Sequence, residues 1–453
     1  MTESNQLSMR KYQIRGQRSD RTWVPALGLF FEADGTPIDL LERSSAGPYG
    51  NYCHPTKDES EEYLRRHSQI SSSIHYEEHH RPNADKVRIL DIMLGMKCNY
   101  RCKYCLQNDN RNHIDFDPVT FEGKLRASGL NFELIKAVRI WGGEPFVYWE
   151  QFVQLVQLLR ERFDYSGKIW TVTNGSLFDQ SKCSFCLDAG VSVMFSHDGT
   201  AQTILRNKHD YLDDLNIRAA VKRMLQAGLQ YHDYRRNFSV SGGILMVLGP
   251  YNLNIRESID YVEKRLFPHF PSKIATVFKA DSRSEEILKA YGQDGLERLR
   301  QDLLDGLRLQ PEDHYYPYFY NLRQLRDTVA RHLVHGLPFA AFRGRCPSYL
   351  SAERLAFDTE GRILVCYADN PEAPHNHGTI EDLASCRWDL KSLHQRPLCR
   401  NCPWVSACMG GCPILNDEDH EIRCRSMMPY HRALFESAYE ILFDDRITEI
   451  IEL

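Results

Sequence analysis

The sequence has little of what would attach a protein to a membrane or to nucleic acid. No stretch of its 453 residues approaches the roughly 20 consecutive apolar residues that a membrane-spanning helix needs. The first residues, MTESNQLSMRKYQIRGQ, lack the apolar segment of a secretory signal. The net charge is only −5 and both signs are intermixed, so no broad basic surface is expected. The sequence therefore predicts a cytoplasmic protein with neither a membrane nor a nucleic acid as its partner.

Cysteine, by contrast, is plentiful and unevenly distributed. The chain has 14 cysteines, of which three lie between positions 98 and 105 and five between 399 and 424. Disulfides are rare in a reducing cytoplasm, so metal binding or catalysis is the better explanation for this number.

The order of apolar segments predicts an α/β fold. From Val87 onwards, short apolar runs alternate with amphipathic helical patterns, which is typical of parallel strands joined by crossover helices. Six such units predict a partial (β/α)6, TIM-like barrel, whose active site would lie at the carboxyl ends of the strands. The predicted strands are 87–93, 137–141, 168–173, 191–196, 239–248 and 273–279, and the helices include 149–163, 181–189, 217–227 and 255–265.

Composition divides the chain into five segments. Residues 1–85 are a polar extension of unknown role with a few short strands or turns, and 86–282 are the barrel. A helical linker follows at 283–340, where the aromatic run YYPYFY is interpreted as core rather than as a substrate wall. A cysteine-rich domain at 341–430 begins with a hairpin, and a C-terminal helix is predicted at 431–453.

The first cysteine group is Cys98, Cys102 and Cys105. Three thiolates in one short loop can hold three irons of a four-iron cluster, which leaves one iron open to a small molecule. A structural zinc site needs a fourth ligand, and no nearby residue of the sequence provides one. The nearest imidazole is that of His113, which is a poor candidate for a ligand.

This C-x3-C-x2-C spacing resembles the signature of the radical S-adenosylmethionine (SAM) superfamily. The segments GGEP, TNG and SHDG follow in that family's order, each at a predicted strand end. The resemblance implies a [4Fe–4S] cluster, reductive cleavage of SAM to a 5′-deoxyadenosyl radical, and hydrogen abstraction from a substrate. The candidate SAM-binding residues that it implies are Tyr104, Gly142, Gly143, Glu144, Pro145, Asn174, Ser196, Asp198 and Arg206.

The C-terminal array has the spacing Cys399-x2-Cys402-x5-Cys408-x3-Cys412, preceded by Cys346 and Cys366 and followed by Cys424. This pattern resembles the SPASM extension, which carries two auxiliary iron–sulfur clusters of the [4Fe–4S] type. The resemblance implies that the outer cluster is held by Cys399, Cys402, Cys408 and Cys424. It implies that the inner cluster is held by Cys346, Cys366 and Cys412. The fourth inner ligand is left open between Cys386, a non-cysteine ligand and an open iron. The rival interpretation is a zinc ribbon on the four cysteines from 399 to 412.

Three cysteines fall outside both arrays. Cys183 and Cys186 are expected to be small helix residues rather than a redox pair. Cys53 is expected to be structural or incidental.

The resemblance narrows the reaction more than the substrate. Relatives crosslink peptides, oxidise side chains to formylglycine, or dehydrogenate small alcohols. Formylglycine-forming relatives carry an Asp base after the second inner cysteine, whereas Cys366 is followed by Tyr367 and the nearest carboxylate is Asp369. We therefore expect oxidative modification of a ribosomally made peptide, with a flavodoxin or ferredoxin as electron donor and no assigned catalytic base. A non-catalytic electron-transfer protein is the alternative from another class, and the SAM-site motifs speak against it.

Overall fold

A computed structural model describes most of the chain. It covers residues 10–40, 82–105, 107, 116–230, 242–276, 282–337, 339, 353–366, 369–390 and 393–453. The predicted site residue Cys346 lies outside these ranges, as do Cys53, His113 and Tyr367. Within the described ranges, no helix is both long and apolar enough to cross a membrane.

The strands form one large sheet and two small ones. The strands are β1 (Tyr12–Gly16), β2 (Arg21–Val24), β3 (Leu29–Phe31), β4 (Ile89–Met93), β5 (Ala137–Trp141), β6 (Lys168–Thr173), β7 (Val191–Ser196), β8 (Gly243–Leu248), β9 (Ser272–Thr276), β10 (Arg354–Asp358), β11 (Ile363–Leu364), β12 (Asn376–His377), β13 (Arg387–Trp388) and β14 (Ile447–Glu452). The eight-stranded sheet has the order β11-β10-β4-β5-β6-β7-β8-β9. The others are β14-β1-β2-β3 and the pair β12-β13.

The large sheet is the expected partial barrel. Its strands β4 to β9 are parallel and lie side by side in chain order. β5, β6 and β7 have the predicted bounds, whereas β4 and β8 begin later than predicted. β9 (Ser272–Thr276) begins one residue earlier than predicted, and the predicted residues 277–279 lie outside the described ranges. All carboxyl ends of parallel strands lie on one edge, so the segments that follow β4 to β7 are brought together.

Helices connect the barrel strands and follow them in the chain. They are α1 (Pro118–Ala127), α2 (Trp149–Gln157, continued by a π-helical turn at Leu158–Arg162), α3 (Gln180–Asp188), α4 (Gln202–Arg206), α5 (Leu215–Gln230), α6 (Ile255–Glu263), α7 (Ser282–Leu307), α8 (Tyr320–Val334), α9 (Pro397–Arg400), α10 (Val405–Cys408) and α11 (Asp417–Phe443). α7 is kinked at Gly292, where φ is 63°. Tyr318 and Phe319 of the aromatic run are buried, as a core role predicts.

The cysteine-rich segment contributes to the barrel sheet, which sequence reasoning did not foresee. Its predicted hairpin forms as β10 and β11, which pair antiparallel. β10 also pairs in parallel with β4, the first barrel strand, from Arg354 opposite Ile89 to Asp358 opposite Met93. The second cysteine array therefore starts from the edge of the sheet that carries the first.

The predicted C-terminal helix 431–453 is wrong in both bounds. α11 begins at Asp417 and ends at Phe443, and Asp444 takes a left-handed conformation with φ of 50°. The last residues form β14, which pairs antiparallel with β1. Short N-terminal strands were expected, and this pairing joins three of them to the C-terminus.

The N-terminal sheet packs on α11 and positions the second cysteine array. Trp23 and Phe30 stack at 4.4 Å between ring centroids, and Trp23 lies 5.7 Å from the ring of Phe435 on α11. The Trp23 indole N–H donates to the carbonyl of Pro403 at 3.0 Å, and the Tyr12 hydroxyl donates to the carbonyl of Asn401 at 2.7 Å. These bonds fix the backbone on both sides of Cys402.

Candidate functional site

The loop of Cys98, Cys102 and Cys105 follows β4 directly. Cys102 is buried, while the other two cysteines are half-buried. Burial raises the pKa of the Cys102 thiol to about 12; the Arg206 guanidinium opposes this shift and the two neighbouring cysteines add to it. The three sulfur atoms therefore lie close enough to influence one another. The loop is anchored where Lys103 N–H donates to the carbonyl of Leu205 at 2.8 Å.

The GGEP segment packs its backbone against the residues that lead into this loop. Gly143 N–H donates to the carbonyl of Gly95 and Glu144 N–H to that of Lys97, both at 2.9 Å. A Cβ on Gly143 would lie 2.4 Å from the carbonyl oxygen of Met96, which is shorter than any normal contact. Glycine is therefore required here for close approach. Gly142 is under the same constraint, since its Cβ would lie 2.9 Å from the Gly95 oxygen.

The Glu144 carboxylate joins the ends of two neighbouring strands. It is buried and accepts hydrogen bonds from the Thr173 hydroxyl at 2.7 Å, from Asn174 N–H at 2.6 Å and from Phe146 N–H at 3.1 Å. Burial raises the pKa of Glu144, and these three donors oppose the shift. This candidate SAM-binding side chain is thus held by protein donors. Pro145 is also buried and opens a 3-10 turn.

Asn174 connects the end of β6 to the cysteine loop. Its Nδ2 donates to Asn99 Oδ1 at 2.8 Å and lies 4.0 Å from Cys98 Sγ. Asn99 in turn donates to Ser176 Oγ at 2.9 Å. Two side chains therefore brace the first cysteine of the loop.

A buried charge network connects the loop to the end of β7. Tyr104 OH donates to Asp198 Oδ2 at 2.7 Å, and Arg206 donates to both carboxylate oxygens at 2.8 and 2.9 Å. Asp198 is fully buried and Arg206 is 4% exposed. Burial raises the pKa of Tyr104 well above its usual value, so the phenol stays protonated and donates. Arg206 is a candidate SAM-binding residue, and two of its nitrogens are engaged by Asp198.

Ser196 and the SHDG histidine lie at this edge together with Asn252 and Asp210, which had no sequence signal. Ser196, a predicted site residue, is half-buried and alternates along β7 with residues buried on the other face. Asn252 Nδ2 donates to the carbonyls of Asp198 and Val247, each at 2.9 Å. His197 Nε2 lies 3.0 Å from an Asp210 carboxylate oxygen. A lone Asn or Asp outside a motif cannot be assigned from sequence.

In the second array, the structure brings together the four cysteines predicted to hold the outer cluster. The pKa of Cys399 is raised to about 12, mainly by burial and in part by Cys424 and Cys408. Burial likewise raises the pKa of Cys402, with contributions from Cys408, Cys399 and Cys424. Since a zinc ribbon would need Cys412 in place of Cys424, this grouping favours the cluster interpretation.

His420 lies among these sulfur atoms and was missed by the sequence reasoning. Its Nδ1 is 3.7 Å from Cys424 Sγ and its Nε2 is 4.0 Å from Cys399 Sγ. Nε2 is also 3.0 Å from the carbonyl of Gly410. Burial lowers the pKa of His420, so the ring is neutral at pH 7. Its spacing of four from Cys424 on a helix is the signal that could have found it.

The remaining cysteines divide into two kinds. Cys366 follows β11 and is half-buried, as is Cys412. Cys386, by contrast, is fully buried, and its Sγ lies 3.4 Å from the carbonyls of Thr379 and Asp382, which favours a structural role over ligation. Cys183 and Cys186 are fully buried in the main core, as helix packing predicts.

Asp369, the carboxylate nearest to Cys366, is occupied by protein partners. It is 3% exposed and lies 3.0 Å from His375 Nε2. It also accepts from Asn376 Nδ2 at 2.9 Å and from Asn370 N–H at 2.8 Å. This side chain holds a turn together.

Comparison with known proteins identifies the barrel. Residues 92–262 match the family model of the Radical SAM superfamily. The radical SAM cyclopropyl synthase TigE of Paramaledivibacter caminithermalis is 23% identical over 154 residues, which are 29% of this chain and 30% of that protein. The chain thus matches less than a third of the length of this relative.

A solved structure shares the fold over more of the chain. Native anSMEcpe with bound AdoMet and Cp18Cys peptide is 18% identical, with a TM-score of 0.52 over 79% of this chain and 99% of that one. Streptococcus suis SuiB bound to precursor peptide SuiA is 16% identical, with a TM-score of 0.45 over 82% of each chain. With its cysteine loop at the carboxyl edge of six parallel strands, this chain carries a domain of the radical SAM superfamily over residues 92–262.

Proposed function

We propose that this chain is an enzyme that cleaves SAM reductively and abstracts hydrogen from a ribosomally made peptide, installing a crosslink or another oxidative C–H modification. One observation carries the proposal: the cysteine loop forms hydrogen bonds with the GGEP, TNG and SHDG motifs at the strand ends. The loop meets the GGEP backbone at Lys97, Asn174 at Asn99, and Asp198 at Tyr104. A site for electron transfer alone needs no such convergence.

The residues of the loop suit a [4Fe–4S] cluster. Thiolates are its usual ligands, and Cys98, Cys102 and Cys105 would hold three of its irons. When bound together, the cluster and SAM supply a 5′-deoxyadenosyl radical that takes a hydrogen atom from the substrate. The loss of the thiol protons that iron binding requires is favoured by Arg206, which lowers the pKa of Cys102 against the effect of burial.

The neighbouring residues would bind and orient SAM. Gly142 and Gly143 permit close approach of backbone to the loop, while Ser196, Asn174 and Pro145 line the same edge. The Tyr104–Asp198–Arg206 network fixes the loop relative to β7 and leaves little room for water, because both charged side chains are buried. These contacts restrict the orientation of anything bound between the loop and the strand ends.

The second array would hold two auxiliary [4Fe–4S] clusters. We assign Cys399, Cys402, Cys408 and Cys424 to the outer one, and Cys366 and Cys412, with Cys346, to the inner one. The donor chemistry fits, and so does the charge of the surroundings. Arg396 and Arg423 are buried beside the outer group, and three of their N–H groups find no acceptor among the described residues. An anionic cluster would supply those acceptors.

The peptide substrate is supported by likeness of fold and by the chain's own residues. Native anSMEcpe, which shares the fold, is solved with a peptide. Within that class we favour crosslinking or related C–H chemistry over formylglycine formation, because the carboxylate of Asp369 is buried and fully engaged. A flavodoxin or ferredoxin is the proposed electron donor, and a cytoplasmic location stays a prediction.

Co-expression tests the proposed function as a whole. The chain would be expressed with a short peptide encoded beside its gene, and the peptide analysed by mass spectrometry. We expect the mass of the peptide to decrease by the mass of the hydrogen atoms removed, with the change mapped to one residue or crosslinked pair. This decrease should be absent with Cys102→Ala and present with Cys183→Ala. The second variant removes a buried cysteine from α3, outside both arrays.

Two outcomes would contradict the proposal. A peptide modified equally by the Cys102→Ala variant would separate the modification from the cysteine loop. Reversible reduction of the iron–sulfur centres without any 5′-deoxyadenosine from SAM would instead favour an electron carrier.

A further inference from the structure

Two buried arginines lie beside the four cysteines of the outer group, and we call Arg396 and Arg423 the arginine pair. Arg396 is 3% exposed and Arg423 is 8% exposed. Arg396 interacts electrostatically with Cys399 and Cys424, and Arg423 interacts with the same two cysteines. Arg396 Nη2 also lies 3.4 Å from the carbonyl oxygen of Cys412, so Arg396 contacts the array itself.

The arginine pair has hydrogen-bond donors to spare. Arg396 Nη2 donates to the carbonyl of Leu415 at 2.7 Å, but its Nη1 has no acceptor among the described residues. Nε and Nη1 of Arg423 likewise lack an acceptor in the described part of the chain. Leaving a buried donor unpaired is destabilising, and more so when the donor is charged. Such a cost at three atoms of one site indicates a missing acceptor.

Carboxylates do not account for this pair. The strongest favourable influence on Arg396 comes from Cys399, ahead of the exposed Asp417. His420 is not an alternative donor to the sulfur atoms, because its Nε2 faces the Gly410 carbonyl at 3.0 Å. The Trp404 N–H already bonds to Cys402, and the arginines add charged N–H donors beside Cys399 and Cys424.

Gly411, between Cys408 and Cys412 of the array, leaves room for the Arg423 side chain. Gly411 has φ of 73°, and a Cβ there would lie 2.1 Å from Arg423 Nη1. Only glycine can combine this left-handed backbone with an arginine packed directly against it. The loop between Cys408 and Cys412 is thus shaped around the guanidinium.

We infer that the arginine pair donates N–H groups to the sulfur atoms of the outer auxiliary cluster and raises its reduction potential. The inference rests on the proposed function only in assuming that the outer group holds a cluster. Cluster potentials depend on net charge and on hydrogen bonds to sulfur. Reduction adds one negative charge, so nearby positive charge stabilises the reduced form more than the oxidised form.

A redox titration monitored by electron paramagnetic resonance tests the inference on the full chain after anaerobic cluster reconstitution. The variants are Arg396→Met and Arg423→Met, which remove charge and keep most of the volume. Arg425→Met is the matched control, because Arg425 is exposed on the same helix and carries the same charge. Each test variant should lower the equilibrium constant for reduction at least tenfold, about 59 mV for one electron. The control should shift it much less.

Charge-conserving variants separate charge from packing. Arg423→Lys should retain more of the potential than Arg423→Met. Equal potentials for Arg396→Met, Arg423→Met and Arg425→Met, at full iron content, would overturn the inference.

If a variant loses its iron, unfolding of the iron-free protein provides a second test of the inference. In the protein without iron, Arg423→Met should unfold at higher denaturant concentration than wild type, because an unpaired buried charge has been removed. A lower unfolding midpoint would mean that the arginine is a packing residue, and the inference would fail. If the arginine variants lowered the cluster potential as expected but the wild-type protein did not cleave SAM, the proposed function would be overturned and this inference would stand.

Discussion

Replacing Asp198 by Asn tests whether the buried network truly joins the cysteine loop to the barrel. Asp198 accepts two hydrogen bonds from Arg206 and one from Tyr104, and it is fully buried. Asn has a similar shape but no charge, so Arg206 would keep its charge in a buried site without a counter-ion. Breaking a buried ion pair in this way costs about 3–5 kcal/mol.

The companion variants give the expected order of effects. Tyr104→Phe removes a single bond to a charged group, which is worth about 1.5–3 kcal/mol. The double variant Asp198→Asn/Arg206→Met removes both charges, so it should recover much of the stability lost by the single change. The recovery distinguishes an unpaired charge from a simple packing defect.

Urea unfolding and hydrogen–deuterium exchange are the assays. Asp198→Asn should lower the free energy of unfolding by the stated amount and speed exchange in the peptide that contains residues 98–105. A loss below about 1 kcal/mol, or a double variant no more stable than the single one, would refute the reasoning, since both charges would then be dispensable.

Three further changes test other parts of the account. Gly143→Ala should destabilise by about 1–3 kcal/mol through overpacking, whereas Gly123→Ala, with open space around it in α1, should stabilise by up to about 1 kcal/mol; thermal unfolding compares the two. Cys408→Ala should remove about four irons per chain from the reconstituted protein and Cys386→Ser none, as measured by iron analysis; equal losses would return Cys386 to the ligand set. Burial would raise the pKa of the half-exposed Asp179, but hydrogen bonds from Lys182 outweigh it and lower the pKa to about 2. The stabilisation that Asp179 gives as the N-cap of α3 should therefore be complete above pH 4 and lost as the pH falls towards 2. Asp179→Ala should therefore cost about 1 kcal/mol at pH 7 and little at pH 2 in thermal unfolding, and a pH-independent cost would contradict this.

Local patterns were sufficient to predict the barrel and the position of its site. β5, β6 and β7 are runs of apolar and β-branched residues ended by turn residues, and their bounds were predicted to the residue. Because parallel strands end on one edge, the placement of the GGEP, TNG and SHDG motifs followed from the strand order. The pairing of Tyr104 with Asp198 did not follow, because it depends on how the loop folds back.

Long-range pairings and buried polar groups could not be predicted. β14 and β1 come from opposite ends of the chain, and a six-residue strand after a helix gives no strong signal of its own partner. The same is true of β10, whose partner β4 precedes it by most of the barrel. Arg396 and Arg423 look like ordinary surface residues in sequence, and only the tertiary structure buries them among cysteines.

The most direct test of the central claim is 5′-deoxyadenosine formation from SAM by the reconstituted, chemically reduced protein. The account predicts 5′-deoxyadenosine from wild type and from Cys183→Ala, and none above background from Cys98→Ala. Equal amounts from wild type and Cys98→Ala, or none from wild type that carries its full iron, would contradict it.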